Sequence, residues 1–404
     1  MKTLNDNTHP LESLLQQHCP NGVEFKELGE LWEKAPKSKM GANQAKNLSK
    51  NNGNICFTSG ETHYFIDDYL VDGEFLFLND GGTADIKYNS GKAYYTDHIF
   101  AFTSQKICVK FLYYFLKDKQ EAINKTCFQG TGLKNLQKNK IEKFPIPLPP
   151  LEIQYKIVEI LDAFTELEAE LEAELEARLK QYEYYRNKLL SFEELQRRTD
   201  ILNGGGLELV NLGELFTIKN GYTPSKTKAE FWECGTIPWF RMEDIQKNGR
   251  ILKDSIQHIT PQAVKGGKLF PANSIIIATT ATIGEHALVI VDYLSNQQFT
   301  CLIPQINCCD KLSMRFMFYY GFILGEWCRN NVNKSAFPSV KMDKFKKFQI
   351  PLPPLEVQNE IVEILDKFDT LTNDLTSGIP AEIEARKKQY EYYRERLLSF
   401  IVKD

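Results

Sequence analysis

The sequence predicts an α+β protein in which two globular domains alternate with two long helical regions, the helices pairing as an antiparallel coiled coil in a pseudo-two-fold arrangement. Three observations lead there. The strip FPIPLPPLEIQYKIVEILDAF from Phe144 returns as FQIPLPPLEVQNEIVEILDKF from Phe348. The segment QYEYYRNKLLSF (Gln181–Phe192) returns as QYEYYRERLLSF (Gln389–Phe400). Between these near-copies, residues 22–143 and 206–347 differ so much that only their openings align, GVEFKELGEL from Gly22 and GLELVNLGEL from Gly206. A repeated frame therefore carries two different globular bodies.

The helical regions follow from local chemistry. Proline disfavours helix in the residue before it yet suits the first helical turn, so helices should start near Pro150 and Pro354. Glu152 and Glu356 then sit near the positive end of the helix dipole. Ile153, Ile157, Ile160, Leu161 and Phe164 fall on one face at helical spacing, as do Val357, Ile361, Ile364, Leu365 and Phe368. The first copy continues as Glu-Leu-Glu-Ala written three times from Glu166, strong helix formers without a breaker. From Leu175 a heptad appears at Leu175, Tyr182, Tyr185, Leu189 and Phe192, and again at Ile383, Tyr390, Tyr393, Leu397 and Phe400. Together with Ile157, Leu161, Ile361 and Leu365 these positions form the coiled-coil and partner-docking set. Two matching seams in one chain most simply pack on each other. The other reading packs each stripe on its neighbouring globular domain. In the second copy Thr376-Ser377-Gly378-Ile379-Pro380 should end one helix and begin another, and residues 200–206, with Asn203-Gly204-Gly205-Gly206, read as a flexible joint.

The globular parts read as mixed, with strand-like runs at Phe75–Leu78, His98–Phe102 and Ser274–Ala278 and a buried helix over Leu312–Cys328. At 404 residues the chain has room for two ordinary cores plus accessory helices. The polar start MKTLNDNTHP and the lack of an uncharged apolar run near ~18 residues point away from secretion and membrane spanning. Nine cysteines without a CxxC pair, Cys308 and Cys309 being adjacent, suggest neither a zinc site nor a disulfide framework. A cytoplasmic location fits best.

Net charge is −4, which by itself argues against a nucleic-acid partner. The distribution reverses that. Residues 1–150 and 201–350 hold 18 and 17 Lys/Arg against 17 and 12 Asp/Glu, a net +6. Residues 151–200 and 351–404 hold 7 and 7 against 13 and 11, a net −10. Lys134, Lys138, Lys140 and Lys143 have a counterpart cluster in Lys334, Lys341, Lys344, Lys346 and Lys347. Each cluster alone reads as a solvated face, but recurrence at the same place in both domains raises phosphate contact to an equal reading.

No catalytic constellation emerges. The glycine cluster Gly204–Gly206 lies in a linker rather than after a strand, and no Walker lysine motif is present. His98, in Thr96-Asp97-His98, reads as a polar loop or contact residue rather than a metal ligand. No catalytic residue, metal or cofactor is expected in this chain.

Assembled, these residues resemble the DNA specificity subunit of type I restriction-modification enzymes. IPLPPLEIQ and IPLPPLEVQ look like that family's conserved helical regions. The second globular part adds Gly221-Tyr-Thr-Pro-Ser225, Gly235-Thr-Ile-Pro-Trp239, Ile277-Ala-Thr-Thr-Ala-Thr-Ile-Gly284 and Asn296-Gln297, in the order of a target-recognition domain. The first part resembles another class of that domain through Asn79-Asp-Gly-Gly82, Thr96-Asp97-His98 and Gly130-Thr-Gly132. The resemblance implies a target-recognition domain over residues 1–145 with a tail at 1–21, and a conserved helical region over 146–200. A second recognition domain over 201–347 follows a linker at 201–206, and a second helical region covers 348–404.

It implies further a non-catalytic subunit of a phage-defence complex that reads a split site on double-stranded DNA. Two modification subunits would dock on it and, through them, restriction and translocase subunits. S-adenosylmethionine, ATP and Mg2+ would belong to those partners. Thr279, Thr280, Thr282, Asn296, Gln297 and Arg241 are the candidate base-edge readers of the second domain. Asn79, Thr96, His98 and Thr131 are the candidates of the first, and Lys134, Lys138, Lys341, Lys344 and Lys346 the phosphate contacts. The threonines admit a second reading as a β-edge with satisfied hydroxyls, and Trp239 reads as core. Two rival functions remain distinguishable. A coiled-coil scaffold would show no salt-sensitive DNA affinity, and a stand-alone DNA methyltransferase would methylate without partners.

Overall fold

In each half of the chain one strand divides its side chains between two cores. The computed structural model describes residues 17–203, 206–308, 310–333, 338–374 and 376–400. The chain packs as two compact units, Met1–Glu170 with Ile383–Asp404, and Leu171–Glu382.

Unit 1 opens with β1 (Glu24–Glu27), α1 (Leu28–Leu31), β2 (Glu33–Lys34) and α2 (Ala42–Asn47). Strands β3 (Asn54–Phe57), β4 (His63–Ile66), β5 (Glu74–Asn79), β6 (Ile86–Ser90), β7 (Ala93–Tyr95) and β8 (Ile99–Thr103) follow. Helices α3 (Val109–Asp118) and α4 (Gln120–Cys127), strands β9 (Phe128–Gln129) and β10 (Asn135–Leu136), α5 (Lys138–Glu142) and β11 (Pro145–Leu148) lead into α6 (Leu151–Leu189). The sheets order as β2-β8-β5-β6 and β4-β3-β7. Side chains of a strand alternate faces. Leu76 and Leu78 of β5 therefore join Phe111, Leu112 and Phe115 of α3, while Phe77 between them joins Phe57, Tyr95 and Ala101.

Unit 2 takes in the later part of α6 and α7 (Phe192–Asn203), then β12 (Glu208–Asn211), α8 (Leu212–Leu215), β13 (Phe216–Asn220) and β14 (Ile237–Phe240). Next come α9 (Met242–Asn248), β15 (Ile251–Leu252), β16 (His258–Ile259), β17 (Ser274–Ala278), β18 (His286–Val289), β19 (Leu294–Ser295) and β20 (Phe299–Pro304). Helix α10 (Met314–Asn330), α11 (Met342–Lys346), β21 (Gln349–Leu352), α12 (Leu355–Asn373) and the start of α13 (Ile379–Leu397) complete it. Its sheets order as β13-β20-β17-β18-β15 and β16-β14-β19. In β17, Ile275 and Ile277 face α10, while Ile276 and Ala278 face the core around Trp239, Phe240 and Tyr293.

The two globular parts share most of their topology despite their dissimilar sequences, unit 2 adding β15 as a fifth strand beside β18. A parallel pair (β3 with β7, β14 with β19) and an antiparallel pair closing the domain (β1 with β11, β12 with β21) occur in both. The strand runs at 75–78 and 274–278 lie in β5 and β17, the run at 98–102 becomes strand only from Ile99 in β8, with His98 in the preceding turn, and the helix expected over 312–328 is α10, starting at Met314.

The helical regions realise both packing alternatives. In unit 1 Ile157 and Leu161 of α6 pack into the globular core together with Leu397 and Leu398. The Phe164 ring lies 6.2 Å from that of Tyr390 and 5.3 Å from that of Tyr393, and Lys387 pairs with Glu168 at 3.2 Å. Residue numbers rise on one helix as they fall on the other, so the pair is antiparallel. In unit 2 Phe368 takes the place of Phe164, with Tyr182 at 6.2 Å and Tyr185 at 5.5 Å. The break expected at 376–380 separates α12 from α13, and a Cβ on Gly378 would lie 2.5 Å from the Thr370 carbonyl oxygen. Residues 200–203 of the expected joint are helical instead, because α7 runs through Asn203 with Leu195 and Thr199 buried. Gly204 and Gly205 lie outside the described residues, as does Cys309.

One glutamine in each copy anchors helix to domain. Gln154 accepts from Cys108 N at 2.8 Å and donates to Pro149 O at 2.8 Å. Gln358 accepts from Ser313 N at 2.8 Å and donates to Lys311 O and Pro353 O, both at 2.8 Å. Each therefore satisfies the N-terminal end of the packed helix, α3 or α10, and the proline strip at once.

His286 on β18 is buried, and its Nε2 donates to Phe318 O at 2.9 Å. Burial first, then the Arg250 guanidinium, lowers its pKa to about 3. An unfolded histidine titrates near ~6.5, so the unfolded chain binds the extra proton between these values. The stability contributed by the neutral ring is fully present above that pH and falls as pH drops toward 3, by up to about 1.4 kcal/mol per pH unit. Urea midpoints of unit 2 should decline from pH 7 to pH 5, and His286→Gln should flatten the decline. An equally steep decline in the variant assigns it to other groups.

Candidate nucleic-acid interface

Where β17 ends and β20 begins, the loops of unit 2 meet at one corner. Thr279 N donates to Gln298 O at 3.0 Å, Val340 N to Thr279 O at 3.0 Å, and Asn296 N to Phe240 O at 3.0 Å. Ala278 N, beside them, donates to Glu285 O at 2.7 Å. Unit 1 repeats this set bond for bond. Asp80 N donates to His98 O at 2.8 Å, Leu136 N to Asp80 O at 3.0 Å, Thr96 N to Phe57 O at 2.9 Å and Asn79 N to Asp85 O at 3.2 Å. Asp80 thus stands where Thr279 does, His98 where Gln298 does, and Thr96 where Asn296 does. The backbone of the corner is constant and its side chains are not.

In unit 2 the corner gathers most of the expected readers. Gln297 and Thr282 are exposed, and the Thr223 hydroxyl donates to Gln297 Oε1. Asn296 braces the same turn, its Oδ1 accepting from Gln298 N at 3.1 Å. Thr280 is half-buried and bridges to Ser339. Arg241 follows β14, pairs with Glu243 at 2.8 Å and keeps a buried Nε without a hydrogen-bond partner. Its guanidinium carbon lies 5.7 Å from the Trp239 ring centre. Trp239 is core, donating from Nε1 to Tyr222 O at 3.0 Å. Lys341, Lys344 and Lys346 are exposed, without an ion pair among the described residues. Lys334 lies outside those residues.

In unit 1 His98, Thr131, Lys134 and Lys138 are exposed around the equivalent corner. Lys138 Nζ lies 3.9 Å from the Asp80 carboxylate and 5.6 Å from the Phe100 ring centre.

Three expected contacts have a different place. Asn79 is buried with its amide committed, donating to Ser59 O at 2.8 Å and Thr83 O at 3.2 Å and accepting from Lys87 Nζ at 3.2 Å. Thr96 is buried under its turn. Thr279 is buried with its hydroxyl on that of Thr300 at 2.9 Å, the satisfied β-edge reading. All three brace the corner, because a polar side chain is as useful for satisfying a buried turn as for meeting a ligand. The helix seam is likewise occupied by the chain itself. Ile157, Leu161, Tyr182, Leu189, Ile361, Leu365, Ile383 and Leu397 are buried, Leu175, Tyr390 and Tyr393 are half-buried, and Tyr185 is exposed only in part, its ring against Phe368. Tyr184 and Tyr392 are the exposed equivalents on the same two segments.

Among the described residues no three His, Cys, Asp or Glu side chains gather as a metal site, the cysteines are free, and no helix is long and apolar enough to cross a membrane.

The same globular fold, each time followed by a helical region and closed at a corner of matching backbone bonds, is thus built twice in one chain. The chain belongs to the type I restriction modification DNA specificity domain family, which matches residues 20–181 and 205–385. It is 55% identical over 214 residues to the type I restriction enzyme EcoprrI specificity subunit of Escherichia coli, covering 51% of this chain and 53% of that protein. The chain thus spans about half the length of that relative. It is 41% identical over 307 residues to the EcoR124I/EcoR124II specificity subunit of the same organism, covering 73% and 72%. In fold it is similar to a type I restriction-modification S subunit from M. genitalium, with a TM-score of 0.57 at 17% identity over 94% of this chain and 96% of that one.

Proposed function

We propose that this chain is the specificity subunit of a type I restriction-modification enzyme, each unit reading one half of a split site on double-stranded DNA. The corner built twice on the same four backbone bonds, with different side chains, carries the reading. Base edges are told apart by where donors and acceptors sit, so two half-sites of different sequence need one scaffold with two linings. Exposed Gln297 and Thr282 with half-buried Arg241 in unit 2, and exposed His98 and Thr131 in unit 1, are the readers this favours. Lys134, Lys138, Lys341, Lys344 and Lys346 supply phosphate contacts that position without reading.

Family membership supports the wider assembly. Two modification subunits dock on the helical regions and bring S-adenosylmethionine for adenine methylation. Restriction and translocase subunits join through them with ATP and Mg2+, in the cytoplasm, and the chain itself performs no chemical step. The helical regions, at a net −10, lower the attraction for phosphate. The isolated chain should therefore bind DNA weakly and gain affinity with its partners.

Replacing residues 206–347 with the corresponding domain of another family member tests the reading. Methylome sequencing of cells carrying the chimera and its modification subunit should show one half-site changed and the other intact. Changes in both halves, or in neither, would count against it.

A further inference from the structure

In unit 1, residues 35–41 (APKSKMG) connect β2 to α2 without helix, and burial alternates over Lys37, Ser38, Lys39 and Met40. Ser38 is 3% exposed and its Oγ accepts from Met40 N at 3.1 Å. Met40 is 6% exposed and packs with Ala45, Cys56 and Ile66. The Tyr95 hydroxyl donates to Pro36 O, and Asp97 N donates to Met40 O at 2.9 Å. The stretch is thus pinned on both sides of its lysines. With Ser38 and Met40 taken inward, Lys37 and Lys39 are left exposed, and neither has an acidic partner among the described residues.

The pinning point matters as much as the exposure. Asp97 lies in the turn that holds Thr96 and His98, so the two lysines flank the corner itself. Unit 2 brings its own β13–β14 connection to the equivalent turn, through Tyr222 N on Ser295 O at 2.8 Å and the Thr223 hydroxyl on Gln297. The same connection therefore reaches the same place in both units, by different residues.

Building on the DNA-reading function above, on which this assignment rests, we propose that Lys37 and Lys39 are phosphate contacts that seat the first half-site against the unit 1 corner. Two residues of extended chain span at most ~6.8 Å. Two base-pair steps advance a DNA strand by about the same distance, so both ammonium groups reach phosphates of one strand. Because a pinned backbone has already given up its freedom, contact costs little further ordering beyond the lysine side chains themselves. Such contacts govern affinity and its salt dependence, and leave the bases read unchanged.

The test uses the full chain assembled with its modification subunits on a duplex carrying the methylated sequence. For K37A/K39A the slope of log affinity against log salt should fall in magnitude by about 1.8, at ~0.9 per phosphate contact, with the methylated sequence unchanged. K37R/K39R should keep the slope, since it keeps the charge. An unchanged slope in the alanine pair, an altered sequence, or an equal loss in the arginine pair overturns the assignment. A wild-type complex without preference for its own site overturns the DNA-reading function beneath it, so the two failures are separable.

Discussion

Replacing Gln358 by leucine is expected to lower the unfolding free energy of unit 2 by about 3 kcal/mol, at ~1–3 kcal/mol for each buried group left unpaired. The side chain is fully buried and makes three bonds, to Ser313 N, Lys311 O and Pro353 O. Leucine fills similar volume but can neither accept nor donate, so the first N–H of the α10 cap region and two carbonyls lose their partner together. Urea unfolding followed by tryptophan fluorescence is the measurement, since Trp232, Trp239 and Trp327 lie in unit 2 and only Trp32 lies in unit 1. Gln154→Leu should act in unit 1 and cost less, because Gln154 makes two such bonds, to Cys108 N and Pro149 O. A Gln358→Leu chain with an unchanged midpoint would show that water or a shifted backbone satisfies these groups.

Deleting Glu170–Ala173 is expected to shorten the unread spacer by one or two base pairs and leave both half-sites as they were. Helix α6 runs unbroken from Leu151 to Leu189, and the division between the units falls after Glu170. Removing four residues shortens a helix by ~6 Å and rotates the residues beyond the deletion by about 40°. Base pairs are about 3.4 Å apart along the duplex, which sets the size of the change. The second helical strand can adapt, since it is already interrupted between Asn373 and Ile379. Inserting a further Glu-Leu-Glu-Ala should lengthen the spacer by the same step. Methylome sequencing reads both variants, and altered bases at an unchanged spacing would remove α6 as the ruler.

Much of the candidate site was legible, in uneven fashion. The candidates Gln297 and Thr282, which motif order singled out, and Lys341, Lys344 and Lys346 are exposed. Asn79, Thr96 and Thr279 were legible as important polar residues, but their role was not, since a hydrogen-bonded turn residue and a ligand contact have the same composition. Gln154 and Gln358 did carry a signal. Each is an amide repeated in an otherwise apolar stripe, and a repeated polar residue on a buried face calls for a structural partner. Lys37 and Lys39 carried none, because the alternation that turns them outward depends on where Met40 and Ser38 find cover.

By itself the sequence determined what depends on local spacing: the two proline-led helix starts, the unbroken run through the Glu-Leu-Glu-Ala repeats, the break at Gly378 and Pro380, and the repetition of the helical segments. Helix period, capping and proline geometry act over a few residues, so they are written in a few residues. The tertiary structure decided that residues 22–143 and 206–347, unlike in sequence, close the same corner with the same backbone bonds. It also decided that the seam tyrosines are consumed inside their own units. Those outcomes come from contacts between strands far apart in the chain, where backbone groups pair whatever side chains they carry, and where burial is set by the partner rather than by the residue.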